Sequence, residues 1–216
     1  MKILAIGAHA DDLELACGGT LAKAVELGHE VKILVLTDSA YTNYDGSTMR
    51  SKGEADVEAL AGAHALGVTD VEILDFPIKF VPYNGDTVQA INRVIDAFQP
   101  DVTMTHWAFD THQDHKNTSQ STISAARYQN NLLMYEPFPP SGRSYMPFHP
   151  QMYFDISSVI DKKINALREH KSQLAKYGEN WVEAVVGRAR LRGYESGHKY
   201  AESFEVVRFN WDFSRF

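Results

Sequence analysis

Short, nearly continuous apolar runs mark the first half of the chain. Lys2–Ile6 and Val31–Leu36 have the character of strands covered on both faces. Between them, Gly19–Leu27 sets Leu21, Ala24, Val25 and Leu27 on a helical stripe, and Gly28 supplies a stop. So short a strand–helix–strand passage predicts a parallel pair with a right-handed crossover. The pattern repeats downstream. A helix is expected from about Arg50 to Leu66 before Gly67, a strand at Val71–Leu74, a long loop at Asp75–Asp86, a helix at Val88–Phe98 and a strand at Asp101–Thr105. The alternation βαβαβαβ predicts an α/β, Rossmann-like doubly wound fold: a mostly parallel sheet with helices on both faces.

Beyond residue 105 the pattern is weaker. Thr118–Tyr128 reads as helix, Leu132–Tyr135 and Met152–Asp155 as strands, and Pro137–Pro150 as a loop holding five of the eight prolines. A helix from Val159 to about Tyr177, capped by Ser157 or Ser158, and another over Trp181–Tyr194 are expected, and Phe204–Phe209 alternates like a late strand. No internal repeat, low-complexity tract or dividing linker interrupts the sequence, so residues 1–216 are expected to form one domain.

Composition changes this picture little. Of the 216 residues 44% are hydrophobic and 23% charged, as in an ordinary globular protein. The net charge of −7 opposes broad contact with a phosphate backbone, so no nucleic-acid partner is expected. The single cysteine, Cys17, makes no intramolecular disulfide, and no apolar stretch reaches the length of a membrane span, so a cytoplasmic protein without membrane insertion is expected.

Two polar clusters carry the candidate chemistry. Ala8-His9-Ala10-Asp11-Asp12-Leu13-Glu14 follows the first apolar run, and His112-Gln113-Asp114-His115 follows the run ending near Thr105. An imidazole beside adjacent carboxylates, where a buried strand ends, is costly for stability and well suited to a divalent metal. With a strand order of 3-2-1-4-5 the first and fourth strands are neighbours, and both clusters leave their carboxyl ends, where such sheets bind ligands. A catalytic zinc takes three protein ligands and leaves one position for water. His9, Asp12 and a histidine of the second cluster suit that role, and Asp11 is the natural base beside the metal. Protonated His112 is a candidate donor to an oxyanion or leaving group, with Asp114 holding its ring. Together they describe metal-assisted hydrolysis.

These motifs, with Cys17-Gly18-Gly19-Thr20-Leu21, Arg50 followed by Glu54, and Tyr200-Ala201-Glu202-Ser203-Phe204, resemble the LmbE-like, or PIG-L, family of zinc-dependent deacetylases. The resemblance implies a Rossmann-like enzyme, commonly oligomeric, that removes the acetyl group of small N-acetylglucosaminyl compounds. It implies His9, Asp12 and His115 as Zn2+ ligands, Asp11 as general base, His112 as oxyanion stabiliser or general acid, Asp114 as its orienting partner, and Arg50 and Asp75 lining the sugar pocket. Ala10 and Gln113 stand where the family usually has proline, and Asp110 where some members have tyrosine. A mixed His and Asp site also accepts Fe2+, Co2+ or Mn2+.

Two other readings compete. Some proteins resembling this family add water to a carbon–carbon double bond. A nucleotide-binding module is the third, but the first turn, Gly7-Ala8-His9-Ala10-Asp11-Asp12, lacks the glycine-rich phosphate fingerprint, and its carboxylates would repel a pyrophosphate. The segment Pro137–Pro150, with Phe138, Tyr145 and Phe148, has the composition of a lid or of a subunit contact. Arg188, Arg190 and Arg192 are expected on a solvated or subunit-facing surface.

Overall fold

The computed structural model describes residues 1–43 and 45–210. Strands β1 (Lys2–Gly7), β2 (Glu30–Thr37), β5 (Asp70–Phe76), β6 (Val102–Thr105), β7 (Leu132–Tyr135), β8 (Met152–Asp155) and β9 (Ala201–Arg208) form a sheet ordered β5-β2-β1-β6-β7-β9-β8. The first five in that order are parallel and keep the expected 3-2-1-4-5 arrangement, while β9 runs antiparallel to both β7 and β8. A short hairpin, β3 (Tyr41–Thr42) with β4 (Thr48–Arg50), stands apart from it. That hairpin lies in a polar stretch whose sequence carries no apolar alternation.

Alternate residues of β1 face opposite cores. Ile3 and Ala5 pack with α1 (Asp12–Ala16), α2 (Gly18–Glu26) and α3 (Lys52–Leu66) through Leu13, Cys17, Leu21, Ala63 and Leu66. Leu4 and Ile6 pack with α4 (Gly85–Phe98) and α5 (Gln113–Ala125) through Ile91, Val94, Ile95 and Ala125. Helix α3 begins at a capping box in which Ser51 and Glu54 bond reciprocally, and it stops at Gly67, whose φ of 89° suits glycine.

Two expectations need correction. Helix α5 begins at Gln113, five residues before the apolar pattern suggests, so the second cluster is the first turn of a helix. Its buried face is Thr118, Ser119, Ser121 and Thr122, which hydropathy does not reveal. The helix expected from Val159 to Tyr177 is broken at His170, whose ψ of 68° leaves the helical region and separates α6 (Ile160–Glu169) from α7 (Lys171–Tyr177). The last helix, α8, runs from Glu179 to Ser196. Among the described residues no helix is long and apolar enough to cross a membrane.

Candidate active site

The parallel register Ile3↔Val102, Leu4↔Thr103, Ala5↔Met104 carries β1 and β6 to the same end of the sheet. There the two clusters meet. Nδ1 of His9 lies 3.1 Å from Nε2 of His115. The Asp12 carboxylate is 3.5 Å from the first nitrogen and 3.2 Å from the second. All three residues are less than 9% exposed.

Each imidazole is held from behind by a carboxylate. His115 directs Nδ1 to Asp110 at 3.0 Å, and His9 directs Nε2 to Asp114 at 3.0 Å. These contacts fix both rings so that the remaining nitrogens face Asp12, an arrangement typical of histidines that ligate a metal. The carboxylate of Asp114 thus faces His9 rather than His112, and also accepts the backbone N–H groups of Lys79 and Val81. Only the backbone N–H of Asp114 reaches His112, at Nδ1. The expected orientation of His112 by the Asp114 carboxylate is therefore not formed: as N-cap of α5, His112 turns its ring onto the first turn's backbone.

Burial alone would lower the basicity of His9 and His115, but the Asp12 charge and the carboxylate hydrogen bonds outweigh it, raising both, His115 to about 10. Burial opposes ionisation of Asp12, yet the facing imidazoles hold it well below the usual carboxylate range. Burial, with the charges of His115 and His9, pushes His112 down to about 4, so its ring is neutral near pH 7. The expectation of a protonated His112 is corrected accordingly. The neutral ring accepts at Nδ1, leaving Nε2–H as its donor.

His106 and Asp110 lie outside the two sequence motifs, yet both belong to the site. His106 is buried, accepts the Ala8 N–H at Nε2, lies 3.0 Å from Asp12 and stacks on His115. Burial and the His115 charge lower it to about 4. Two overlapping groups have donor atoms within 4.8 Å of one another: His9, His112, His115, and Asp12, His106, His115. Because the nitrogens of His9 and His115 converge with the Asp12 carboxylate, the donor set fits a divalent cation.

The cluster closes one end of a cavity of about 310 Å³, lined also by Asp11, Arg50 and the strap Glu136–Ser141. The Asp11 carboxylate makes no hydrogen bond or ion pair among the described residues. Arg50 is 2% exposed. Its guanidinium donates to Ser39 O at 3.0 Å and to Glu58 at 3.4 Å, and Glu58 is held by Ser172. Asp75 is not in the cavity wall: near the carboxyl end of β5 it is exposed and ion-paired to Lys52. Arg188 and Arg192 are not simply solvated either, since both bind the buried carboxylate of Glu136 at the start of the strap.

A doubly wound α/β fold with a buried histidine–carboxylate cluster at the carboxyl end of its parallel strands defines a narrow class. The chain belongs to the PIG-L family: the family described as GlcNAc-PI de-N-acetylase matches residues 4–126. It is similar to the diacetylchitobiose deacetylase of Thermococcus kodakarensis, 29% identical over 223 residues, covering 95% of this chain and 83% of the relative. The uncharacterized deacetylase YaiS of Escherichia coli K12 is 31% identical over 179 residues, covering 79% of this chain and 90% of the relative. Among solved structures, the 4-carboxy-2-hydroxymuconate hydratase of Pseudomonas putida KT2440 superposes with a TM-score of 0.82 at 21% identity, over 98% of each chain.

Proposed function

We propose that this protein is a metal-dependent amidohydrolase that removes the acetyl group from an N-acetylated amino sugar or its small conjugate. The observation that carries this reading is the convergence of His9 Nδ1, His115 Nε2 and the Asp12 carboxylate at the floor of a cavity that also holds an uncommitted carboxylate, Asp11. His9, Asp12 and His115 would hold the cation, Zn2+ by choice. When bound, such an ion polarises a carbonyl and makes water a nucleophile near neutral pH. The deacetylases among the relatives support the amide as substrate.

The chain's own groups then divide the proton work. Asp11, without a hydrogen bond or ion pair among the described residues, takes a proton from the attacking water. Nε2–H of His112 donates to the oxyanion that forms as water adds to the acetyl carbon. As the C–N bond breaks, Asp11 returns its proton to the departing nitrogen, giving acetate and the free amine. Asp110 and Asp114 keep the ligand rings turned.

The test is acetate release from a panel of N-acetylglucosaminyl compounds by protein of known Zn2+ content. Asp11→Asn is expected to lower the rate by about 10²- to 10⁴-fold while metal content is retained. A metal-loaded protein that releases acetate from no member of the panel, yet hydrates an unsaturated dicarboxylate, would overturn the deacetylase reading in favour of the hydratase one, which the fold of the Pseudomonas putida enzyme supports.

A further inference from the structure

Helix α1 is five residues long, too short to hold its shape unaided, yet it carries Asp12 and begins at Asp11. Local capping does little for it. Asp11 makes no side-chain cap among the described residues, and the helix ends at Cys17, whose φ of −135° leaves the helical region before α2 begins. At such a break the last carbonyls of one helix and the first N–H groups of the next need partners from elsewhere.

One buried ion pair supplies both. Lys163 of α6 donates from Nζ to Leu15 O at 2.8 Å, at the carboxyl end of α1. Glu202 of β9 accepts the N–H of Gly19 at 2.9 Å and, on its other oxygen, the N–H and the hydroxyl of Thr20, each at 2.6 Å. The two side chains also bond to each other, with Lys163 2% exposed and Glu202 4%. A cation thus meets the negative end of one helix and an anion the positive end of the next. Leu15 joins this clamp to the site: its N–H bonds to Asp11 O at 3.1 Å while its carbonyl takes the ammonium.

Stability alone does not account for the pair. Taking two charges out of water is costly, and apolar residues of similar volume commonly stabilise a core as well or better. What hydrocarbon lacks is direction. The ammonium and the carboxylate aim at Leu15 O, Gly19 N and Thr20 N, and so set the turn that carries Asp11 and Asp12. A reacting group misplaced by about 1 Å can lose about a hundredfold in rate. We infer that Lys163 and Glu202 are positioning residues: they fix the join of α1 and α2 and, through Leu15, bring Asp11 and Asp12 to the cavity in one geometry. The inference rests on the deacetylase reading for the role of Asp11, and not for the hold on Asp12. Neither Lys163 nor Glu202 lines that cavity.

Two variants and a control test it. Lys163→Met with Glu202→Leu replaces the pair by hydrocarbon, and Glu202→Gln alone keeps the shape while removing one charge. Each is studied at a temperature where it is fully folded. Zn2+ affinity is taken by competition with a chelator, and kcat and KM from acetate release by an N-acetylglucosaminyl compound that the unaltered protein accepts. The expected result in both is a kcat lower by about 10- to 100-fold, KM within about twofold, and Zn2+ affinity about tenfold weaker. The double variant is expected to melt within a few degrees of the parent, as apolar replacements of buried pairs do. Ile95→Ala, in the core on the other side of the sheet, lowers the melting temperature and keeps the parental kcat and affinity. Parental kcat and affinity in either folded variant overturn the inference. If the unaltered protein releases acetate from no compound while both variants bind Zn2+ about tenfold more weakly, the positioning role stands and the deacetylase reading fails. Acetate release with parental kcat and affinity in the variants gives the reverse.

Discussion

The carboxylate of Asp114 lies 3.0 Å from Nε2 of His9, a residue 105 positions earlier in the chain. This contact spans the junction of the two clusters and leaves Nδ1 of His9 turned toward His115 and Asp12. Carboxylates behind ligating histidines raise their basicity and fix their rings, and losing one costs about ten- to a hundredfold in metal affinity. Asp114→Ala is therefore expected to weaken Zn2+ binding by that factor, measured by competition with a chromogenic chelator. An affinity equal to that of the unaltered protein would show that Asp114 has another role.

Glu136 gives a prediction about acid stability. Burial alone would raise its pKa, but hydrogen bonds from Arg192 and Ser203 and the charge of Arg188 hold it below its ordinary value of 4.5. A carboxyl depressed on folding contributes stability that is fully present above its unfolded value and is lost as pH falls through the lower folded one. Glu136→Gln should cost about 3 kcal/mol near pH 7, because two arginines lose a buried partner. Melting temperatures taken down a pH series are expected to draw together for variant and parent as pH falls below 4.5 and through the lower folded value. A gap that stays constant into acid would sink the assignment.

Asp75 separates family likeness from geometry. It is exposed and paired to Lys52, away from the cavity. Asp75→Asn should leave kcat/KM within about twofold of the parent, as for surface substitutions in general. A loss of a hundredfold would mean that the segment after β5 folds over the substrate.

Gly62 lies within α3 where a Cβ would come within 2.7 Å of both Glu14 Oε1 and His170 Nε2. Alanine is favoured over glycine in a helix by about 1 kcal/mol. Overpacking two side chains this deeply buried costs about 1–3 kcal/mol. The clash is expected to win, so Gly62→Ala lowers the melting temperature by a few degrees; a rise would show that His170 has room to move.

The parallel half of the sheet was legible because its strands are buried on both faces and write themselves as apolar runs, and strand order then brings His9 and His115 together. What was hidden is physical rather than accidental. Helix α5 buries hydroxyls instead of hydrocarbons, so its first turn carries no apolar helical pattern. The partners of the site histidines depend on ring orientation: Asp114 is adjacent to His115 yet serves His9, while Asp110, five residues before His115, serves that ring. His106 follows a buried strand and reaches the site only because β1 and β6 lie in register. Arg188 and Arg192 share their acid with Ser203 of β9, a contact made by antiparallel strands whose register no local pattern fixes.

The groups that would grip the cation all fall between His9 and His115, whereas Phe138, Gln173, Lys176 and Trp181, which shape the opposite wall, come later in the chain. Substitutions in the carboxyl-terminal third can therefore reshape the cavity without touching any residue that would hold the ion.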